Sequence, residues 1–259
     1  TTEDLIKPED MVVTISRLGY AKTQPLEVYQ SQRRGGVGKT AASVKEEDFV
    51  EQLIVANTHD TLLCFSNLGK VYWLKVYEIP QASRVAKGRP LVNLIQLDSE
   101  ERITSLLNLE SFDAAGFVFM ATMKGVVKKT PLEDFRLPRK NGKRAIKLDA
   151  KDELVGTKIT DGKQHIMLIS DAGKAVYFDE KDSRPLGRDT RGVKGIELED
   201  EQNVISLMVP GSEDEILTVS ENGFGKKSRI TDFRKTKRGA KGVIAMQLSE
   251  RNGKLLSLI

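Results

Sequence analysis

The chain has 259 residues, with 41 Lys and Arg against 37 Asp and Glu for a formal net charge of +4; apolar residues make up 39% and charged residues 30%. That is enough apolar sequence for a packed core, but no run reaches the roughly 18 residues of a membrane helix. Thr1-Thr2-Glu3-Asp4 carries no leader features, which predicts a cytoplasmic protein. One cysteine, Cys64, and two histidines, His59 and His165, exclude an internal disulfide and a Cys/His zinc site.

From residue 8 the chain repeats itself five times, roughly over 8–56, 57–110, 113–160, 163–210 and 213–259. In the first repeat Val12, Val13 and Ile15 predict a strand, and Ser16 to Gly19 predict its turn. The Ser hydroxyl caps the backbone there, and the glycine takes the positive φ that leads back into the ladder through a bulge. The same pattern returns at Ser66 to Gly69, Thr122 to Gly125, Ser170 to Gly173 and Ser220 to Gly223, so the turn glycines stand 50, 56, 48 and 50 residues apart. Short strands such as Val71 to Leu74 and Ala175 to Phe178 follow the turn. A second glycine comes 17 to 19 residues after the first, at Gly38, Gly88, Gly142, Gly192 and Gly242, and opens a short segment ending on an aliphatic residue. Acidic residues follow, and a last apolar strand such as Ile103 to Leu107 or Val204 to Met208 closes the repeat.

Four strands per repeat at this period predict an all-β fold: a propeller-like β-pinwheel of four-stranded blades, with five repeats visible, forming a single domain over 1–259. A fifty-residue unit is too small to bury its own sheet, and no Pro/Gly/Ser-rich linker separates the units, which argues against a string of independent small domains. Cys64 and Trp73 read as strand packing, and His59 and His165 as edge or turn residues.

Basic residues concentrate between the two glycines of each repeat, and acidic ones fall after the second. The candidate phosphate contacts are Lys70, Lys75, Arg84, Lys87 and Arg89 in the second repeat; Lys128, Lys129, Arg139, Lys140, Lys143 and Arg144 in the third; Arg188, Arg191 and Lys194 in the fourth; and Lys226, Lys227, Lys237, Arg238 and Lys241 in the fifth. One such run is usually a solvated face, but runs in phase along a repeat array predict a basic edge suited to a bent duplex. Aromatic residues are sparse among them, which argues against single-strand or RNA binding by stacking.

The segment Gln32-Arg33-Arg34-Gly35-Gly36-Val37-Gly38-Lys39-Thr40 has two readings. Gly-Gly-Val-Gly-Lys-Thr matches much of a nucleotide-binding P-loop, but the polar, proline-containing stretch Gln24 to Gln32 is a poor candidate for the buried strand that should precede one. The other reading is a family resemblance. Gln32 to Gly38 resembles the gyrase A box, Q-R-R-G-G-(K/R)-G, of bacterial DNA gyrase A subunits, with Val37 where the family has a basic residue. Glu46-Glu47-Asp48-Phe49, Val55 to Asp60, Lys87-Gly88-Arg89-Pro90 and Gly239 to Ile244 are also similar to that subunit's C-terminal domain, so the resemblance covers essentially the whole chain.

The resemblance implies a β-pinwheel that wraps double-stranded DNA around its outer edge and presents a crossed segment to the enzyme's cleavage core, so that the holoenzyme introduces negative supercoils. It assigns Gln32, Arg33, Arg34, Gly35, Gly36, Gly38 and Lys39 to DNA contact at the first blade. It implies no catalytic residue, metal or cofactor in this chain, since ATP and Mg belong to other parts of the holoenzyme. The implied partners are duplex DNA, the subunit's own cleavage core and the gyrase B subunit in an A2B2 assembly at the nucleoid, with no membrane. The family ring usually has six blades, whereas the fifth repeat here ends at Ile259; a missing sixth blade and an open or five-bladed ring are both compatible with that. The corresponding topoisomerase IV domain, which selects DNA without strong wrapping, is the alternative; a protein-binding propeller is a further one.

Overall fold

The computed structural model describes residues 1–34, 48–112, 115–246, 248 and 253–258. In the first repeat, β1 (Asp10–Ser16) and β2 (Tyr20–Pro25) form the hairpin, α1 (Leu26–Arg34) follows, and β3 (Val50–Asn57) closes the unit. The second repeat holds β4 (Thr61–Ser66), β5 (Lys70–Lys75), β6 (Arg89–Pro90) and β7 (Ile103–Leu109). The third holds β8 (Phe117–Thr122), β9 (Val126–Pro131), β10 (Lys143–Arg144) and β11 (Leu154–Thr160). The fourth holds β12 (His165–Ser170), β13 (Lys174–Asp179), β14 (Val193–Lys194) and β15 (Val204–Met208), and the fifth β16 (Glu215–Ser220), β17 (Gly225–Arg229), β18 (Val243–Ile244) and β19 (Leu255–Leu258).

The turns form as their chemistry dictates. Gly19, Gly69, Gly125, Gly173 and Gly223 all have φ between 77° and 88°, the left-handed region where glycine carries no Cβ penalty. Their backbone closes in i to i+3 bonds, as in Gly19 N–H to Ser16 O at 2.9 Å and Gly173 N–H to Ser170 O at 3.0 Å. The side-chain oxygens of Ser16 and Thr122 each accept from the amide four residues on, both at 3.1 Å. The bulge lies elsewhere than expected: hairpin pairing is regular to Ile15↔Ala21, and the register shifts on the opposite edge of the strand, between Ile15 and Ser16 against β3.

Sheets and repeats are out of step. The four-stranded orders are β3-β1-β2-β6, β10-β5-β4-β7, β11-β8-β9-β14 and β15-β12-β13-β18; a three-stranded sheet, β17-β16-β19, completes the described set. The two-residue strand of one repeat therefore edges the sheet of the repeat before it, as in Tyr20↔Pro90, Val126↔Lys194 and Lys174↔Ile244. The second glycine sits at this crossing because it has to: a Cβ on Gly88 would lie 2.3 Å from the Ala21 carbonyl oxygen, and one on Gly192 2.2 Å from that of Val127.

Contacts divide the chain into two compact units. One comprises Thr1–Ser66, Val71–Ser111 and Pro138–Lys143, the other Asn67–Lys70, Phe112–Leu137 and Arg144–Ile259. In the first, Met11, Val13, Ile15, Leu62, Cys64, Tyr72 and Leu74 are among the residues of one apolar cluster. In the second, β12 serves two clusters. Ile166 and Leu168 pack with Phe119 and Phe178, while Met167 and Ile169 pack with Tyr177, Ile216 and Phe233. A strand buried on both faces reads as an unbroken apolar run, which is why Ile166 to Ile169 show no polar alternation.

One expectation needs correction. The polar stretch Gln24 to Gln32, expected not to be a buried strand and given no helix, runs into a nine-residue helix, Leu26–Arg34. It stands where later repeats have one short 3-10 turn, Val76–Glu78, Leu132–Phe135, Glu180–Asp182 or Ile230–Asp232. Over Leu26 to Gln32 its partly covered positions are Leu26, Tyr29 and Gln32, three residues apart on one face. Cys64 is fully buried, as expected of strand packing, and burial pushes its thiol up to about 12. Trp73 is half-buried, with the Lys143 ammonium 5.6 Å from its ring. His59 lies in the turn after β3 and its Nε2 is 2.7 Å from the Ile6 carbonyl oxygen; His165 begins β12.

Candidate nucleic-acid interface

The basic segments leading to the second glycine are loops laid across the preceding repeat. Those of the second, fourth and fifth repeats are pinned at the same place, whereas in the third the equivalent amide, Arg136, donates to Glu133 O at 3.2 Å within its own turn. The amide six residues before the glycine donates to the carbonyl four residues after the preceding turn glycine: Ala82 to Thr23 at 3.1 Å, Leu186 to Lys129 at 2.8 Å and Thr236 to Tyr177 at 2.8 Å. In these three repeats in-phase sequence therefore becomes in-phase structure, because a backbone bond rather than side-chain chance sets the loop path.

In the second compact unit these loops lie side by side. An Arg188 guanidinium nitrogen donates to the carbonyl of Arg144 at 3.4 Å, and one of Arg238 donates to the carbonyl of Lys194 at 2.7 Å. These two bonds are the same bond in successive repeats, since each arginine stands four residues before its second glycine and each carbonyl two residues after the previous one. Backbone bonds reinforce the arrangement: Lys147 N–H to Thr190 O at 2.8 Å and Gly239 N–H to Gly195 O at 2.8 Å. The predicted residues Arg144, Arg188, Arg191, Lys194, Arg238 and Lys241 thus sit on adjoining loops. Arg144, Arg191, Lys194, Lys237 and Lys241 are exposed, and Arg188 and Arg238 half-buried.

Carboxylates already touch two of these cations. Arg144 pairs with Asp189 at 2.6 Å and Arg191 with Asp149 at 3.0 Å. The hydrogen bond from Arg144 holds the Asp189 carboxyl below its ordinary value. All four side chains are at least half exposed, so these pairs contribute little to stability and leave the arginines open to a phosphate.

In the first unit Arg84, Lys87 and Arg89 are exposed on the loop that crosses β2, with the Lys87 ammonium 5.7 Å from the Tyr20 ring; Arg139 and Lys140 are also exposed. Lys70 and Lys143 are half-buried. Lys75, at the far end of β5 from the turn, donates to the Glu3 carboxylate at 3.3 Å and to the His59 carbonyl at 3.5 Å. Lys226 and Lys227 are exposed on β17, the latter paired with Glu215 at 2.5 Å.

Lys128 and Lys129 depart from the expected set. They are 0% and 4% exposed, covered by the loop of the fourth repeat, and are not offered to an external phosphate. Lys128 Nζ donates to the carbonyls of Arg188 at 2.5 Å and Thr190 at 3.2 Å. Lys129 Nζ donates to the Glu180 backbone carbonyl at 3.1 Å and its carboxylate at 3.5 Å, 4.8 Å from the centre of the Phe117 ring. Sequence reading took them as members of an exposed charge run because the covering segment lies some sixty residues on. It also passed over Lys22, which holds the same position in the first repeat as Lys128 in the third, three residues after the turn glycine.

Of the box, Gln32 is half-buried at the end of α1, and Arg33 and Arg34 are in the helix backbone. Gly35, Gly36, Gly38 and Lys39 lie outside the described residues. A helix immediately before Gly35 is not the buried strand that a P-loop follows. Among the described residues, no group of three or more His, Cys, Asp or Glu is placed to hold a metal ion, and no helix is long and apolar enough to cross a membrane.

Comparison with known proteins bears on what these loops belong to. The family described as "DNA gyrase C-terminal domain, beta-propeller" matches over residues 10–57, 60–110, 116–161, 164–210 and 214–259. The chain belongs to this gyrase C-terminal domain family. Its gyrase relatives include the DNA gyrase A subunits of Klebsiella oxytoca and of Escherichia coli K12, each 49% identical over 257 residues that are 99% of this chain and 29% of the relative. The DNA gyrase A subunit of Pseudomonas aeruginosa is 46% identical over an alignment covering all of this chain and 33% of that protein. The chain thus spans about three tenths of the length of the gyrase subunits it matches.

Among solved structures, a gyrase A C-terminal domain superimposes with a TM-score of 0.78 at 27% identity, covering 97% of this chain and 82% of that one. The C-terminal domain of a DNA topoisomerase IV superimposes with the same score at 28% identity, covering 98% and 78%. Shape alone does not separate the two kinds of domain, whereas the relatives at 46–49% identity are named as gyrase A subunits.

Proposed function

We propose that this chain is a non-catalytic domain that binds and wraps double-stranded DNA, bending it over the basic loops so that a gyrase holoenzyme introduces negative supercoils. The observation that carries the reading is the run of adjoining loops holding Arg144, Arg188, Arg191, Lys194, Arg238 and Lys241, joined by the equivalent bonds Arg188 to Arg144 O and Arg238 to Lys194 O, with the fourth and fifth repeats' loops pinned by the same backbone bond. Regularly spaced cations on a fixed backbone match a regularly spaced polyanion, and each one that neutralises a phosphate releases counterions whatever the base sequence. Bending 20 to 30 base pairs by 40 to 90° costs on the order of 1 to 6 kcal/mol, which contacts from several loops together offset. Arg84, Lys87, Arg89, Arg139 and Lys140 extend the contact set in this reading, and Arg33, Arg34 and Lys39 of the box hold the first part of the wrapped duplex.

The proposed protein partners are the subunit's own cleavage core and the gyrase B subunit, in an A2B2 enzyme acting on the nucleoid, with ATP and Mg handled outside this chain. The experiment is the topology of nicked circles relaxed and religated on the protein, with affinity measured against salt. A shift in linking number, with an affinity that falls steeply with ionic strength, is the expected result. Lys194→Ala with Lys241→Ala lowers the salt slope by about 0.9 for each phosphate the protein no longer neutralises, while Lys75→Ala leaves it unchanged. Salt-independent binding overturns the reading. Tight binding with no linking-number shift replaces it with the DNA-selecting role of a topoisomerase IV domain, a reading with which the equal structural likeness to that protein is compatible.

A further inference from the structure

We propose that Lys22 and Lys128 are positioning residues for the DNA-facing loops, each gripping the backbone of the loop that the following repeat lays across its strand, and that neither is a phosphate ligand. What the loops do rests on the wrapping reading above; how they are held rests on geometry. Lys22 Nζ donates to the carbonyl oxygens of Ser83 at 3.1 Å, Arg84 at 2.9 Å and Ala86 at 2.9 Å. Lys128 Nζ donates to those of Arg188 and Thr190. Counted from the second glycine of each loop, Gly88 and Gly192, Arg84 and Arg188 stand four residues before it and Ala86 and Thr190 two before it. Two repeats whose sequences otherwise differ here thus present the same two carbonyls to a lysine at the same strand position.

An ammonium has three N–H donors and no acceptor. The three carbonyls on Lys22 use all of its donors, and Lys128 is wholly buried, so neither cation is free to meet a phosphate. Their effect on DNA passes through the loop. Between the amide pin at Ala82 or Leu186 and the close crossing at Gly88 or Gly192 there are five residues, among them Arg84 and Lys87 in one loop and Arg188 and Arg191 in the other. Ser83 O and Thr190 O also accept from the Ala86 and Lys147 amides, at 3.1 and 2.8 Å, so without the lysine it is the Arg84, Ala86 and Arg188 carbonyls that lose their hold and turn to water, taking the cationic side chains of the segment with them. Tyr72 and Val176 fill the position in the second and fourth repeats. On Val176's repeat, Arg238 supplies a comparable hold by donating to the carbonyls of Asp182 at 3.0 Å and Lys194 at 2.7 Å.

The test is amide hydrogen exchange together with religation topology, on the full subunit carrying this chain. Lys128→Met is expected to speed exchange at least tenfold at residues 186–192 while β9 and β13 stay protected, and to halve the linking-number shift or more. Lys22→Met does the same at 82–88 and leaves 186–192 untouched, and Lys22→Arg, which keeps donors for the carbonyls, retains wrapping. Should Lys128→Met fail to fold, Lys22→Met, at a half-buried position, carries the same test. Variants that exchange and wrap like wild type overturn the clamp, as do variants whose loops open without any change in wrapping. A wild-type subunit that shifts no links overturns the wrapping reading itself, and with it the role given to the loops, an outcome recognisable because it appears before any substitution.

Discussion

The Lys128 ammonium meets the carbonyl oxygen of Arg188 at 2.5 Å, joining a strand of the third repeat to a loop of the fourth. Burial pulls this lysine from its ordinary 10.5 down to about 7, with Asp189 and Asp134 drawing it up and Arg188 drawing it down. Its folded value is below its unfolded one, so between about 7 and 10.5 the unfolded chain binds the extra proton and this group makes stability rise with pH. Denaturant unfolding at pH 6.5, 8 and 9.5 should show wild type gaining on Lys128→Met, by up to about 1.4 kcal/mol per pH unit inside that window. The two N–H groups of the neutral amine still suffice for two carbonyls, so the loop stays held at high pH. A difference that does not change with pH would show that Lys128 keeps its charge.

Glu180 is buried without exposure and accepts from Thr160 Oγ1 and the Gln164 amide, both at 2.9 Å, as well as from Lys129. Glu180→Ala leaves the Lys129 charge buried against a single carbonyl and should cost about 3–5 kcal/mol. Adding Lys129→Met to it should recover a large part of that loss, measured as a double-mutant cycle by chemical denaturation.

Three glycines separate backbone strain from crowding. Gly187 has open space around its missing Cβ and an ordinary φ, Gly19 has φ +85° and open space, and Gly88 has φ +90° with the Ala21 carbonyl 2.3 Å from where a Cβ would sit. Alanine at 187 should be neutral or stabilise by about 0.5 kcal/mol, since it restricts the unfolded chain. At 19 it should cost about 1–2 kcal/mol, and at 88 roughly 3 kcal/mol or more. Thermal or urea unfolding of the three variants gives the order directly.

Arg33→Ala with Arg34→Ala should remove the linking-number shift while leaving the fold and much of the duplex affinity intact, because in the proposed wrapping the loops at 84–89, 188–194 and 237–241 still hold phosphate. Religation topology and a binding isotherm on the same preparation check this. A double variant that wraps normally removes the box from the contact set.

The parts of the fold legible in the sequence were those with a local physical cause. Gly19 and its four counterparts announce a turn because only glycine takes that φ without cost, and the apolar run Ile166 to Ile169 announces a strand. Strand exchange was not legible: Arg89–Pro90 is too short to have a period, and its partner Tyr20 stands in the previous repeat. Nor was α1, whose Gln30-Ser31-Gln32 stretch after Pro25 carries no apolar helical stripe. At the candidate interface the loop charges were read correctly as in phase, but Lys128 and Lys129 were grouped with them because a composition run does not reveal which side of a strand will be roofed. Aligning the third residue after each turn glycine, Lys22, Tyr72, Lys128, Val176 and Lys226, would have set two of these lysines apart as strand positions rather than loop ones.

The displaced edge strand also sets an order of events at the ribosome. The hairpin Asp10–Pro25 cannot complete its sheet until Arg89 and Pro90 have been synthesised, nor the β8–β9 hairpin until Val193 and Lys194 have, nor β12–β13 until Val243 and Ile244 have. A nascent chain of this protein therefore always trails one unfinished edge as it emerges, and translation halted between repeats strands a raw β-edge on the last unit made.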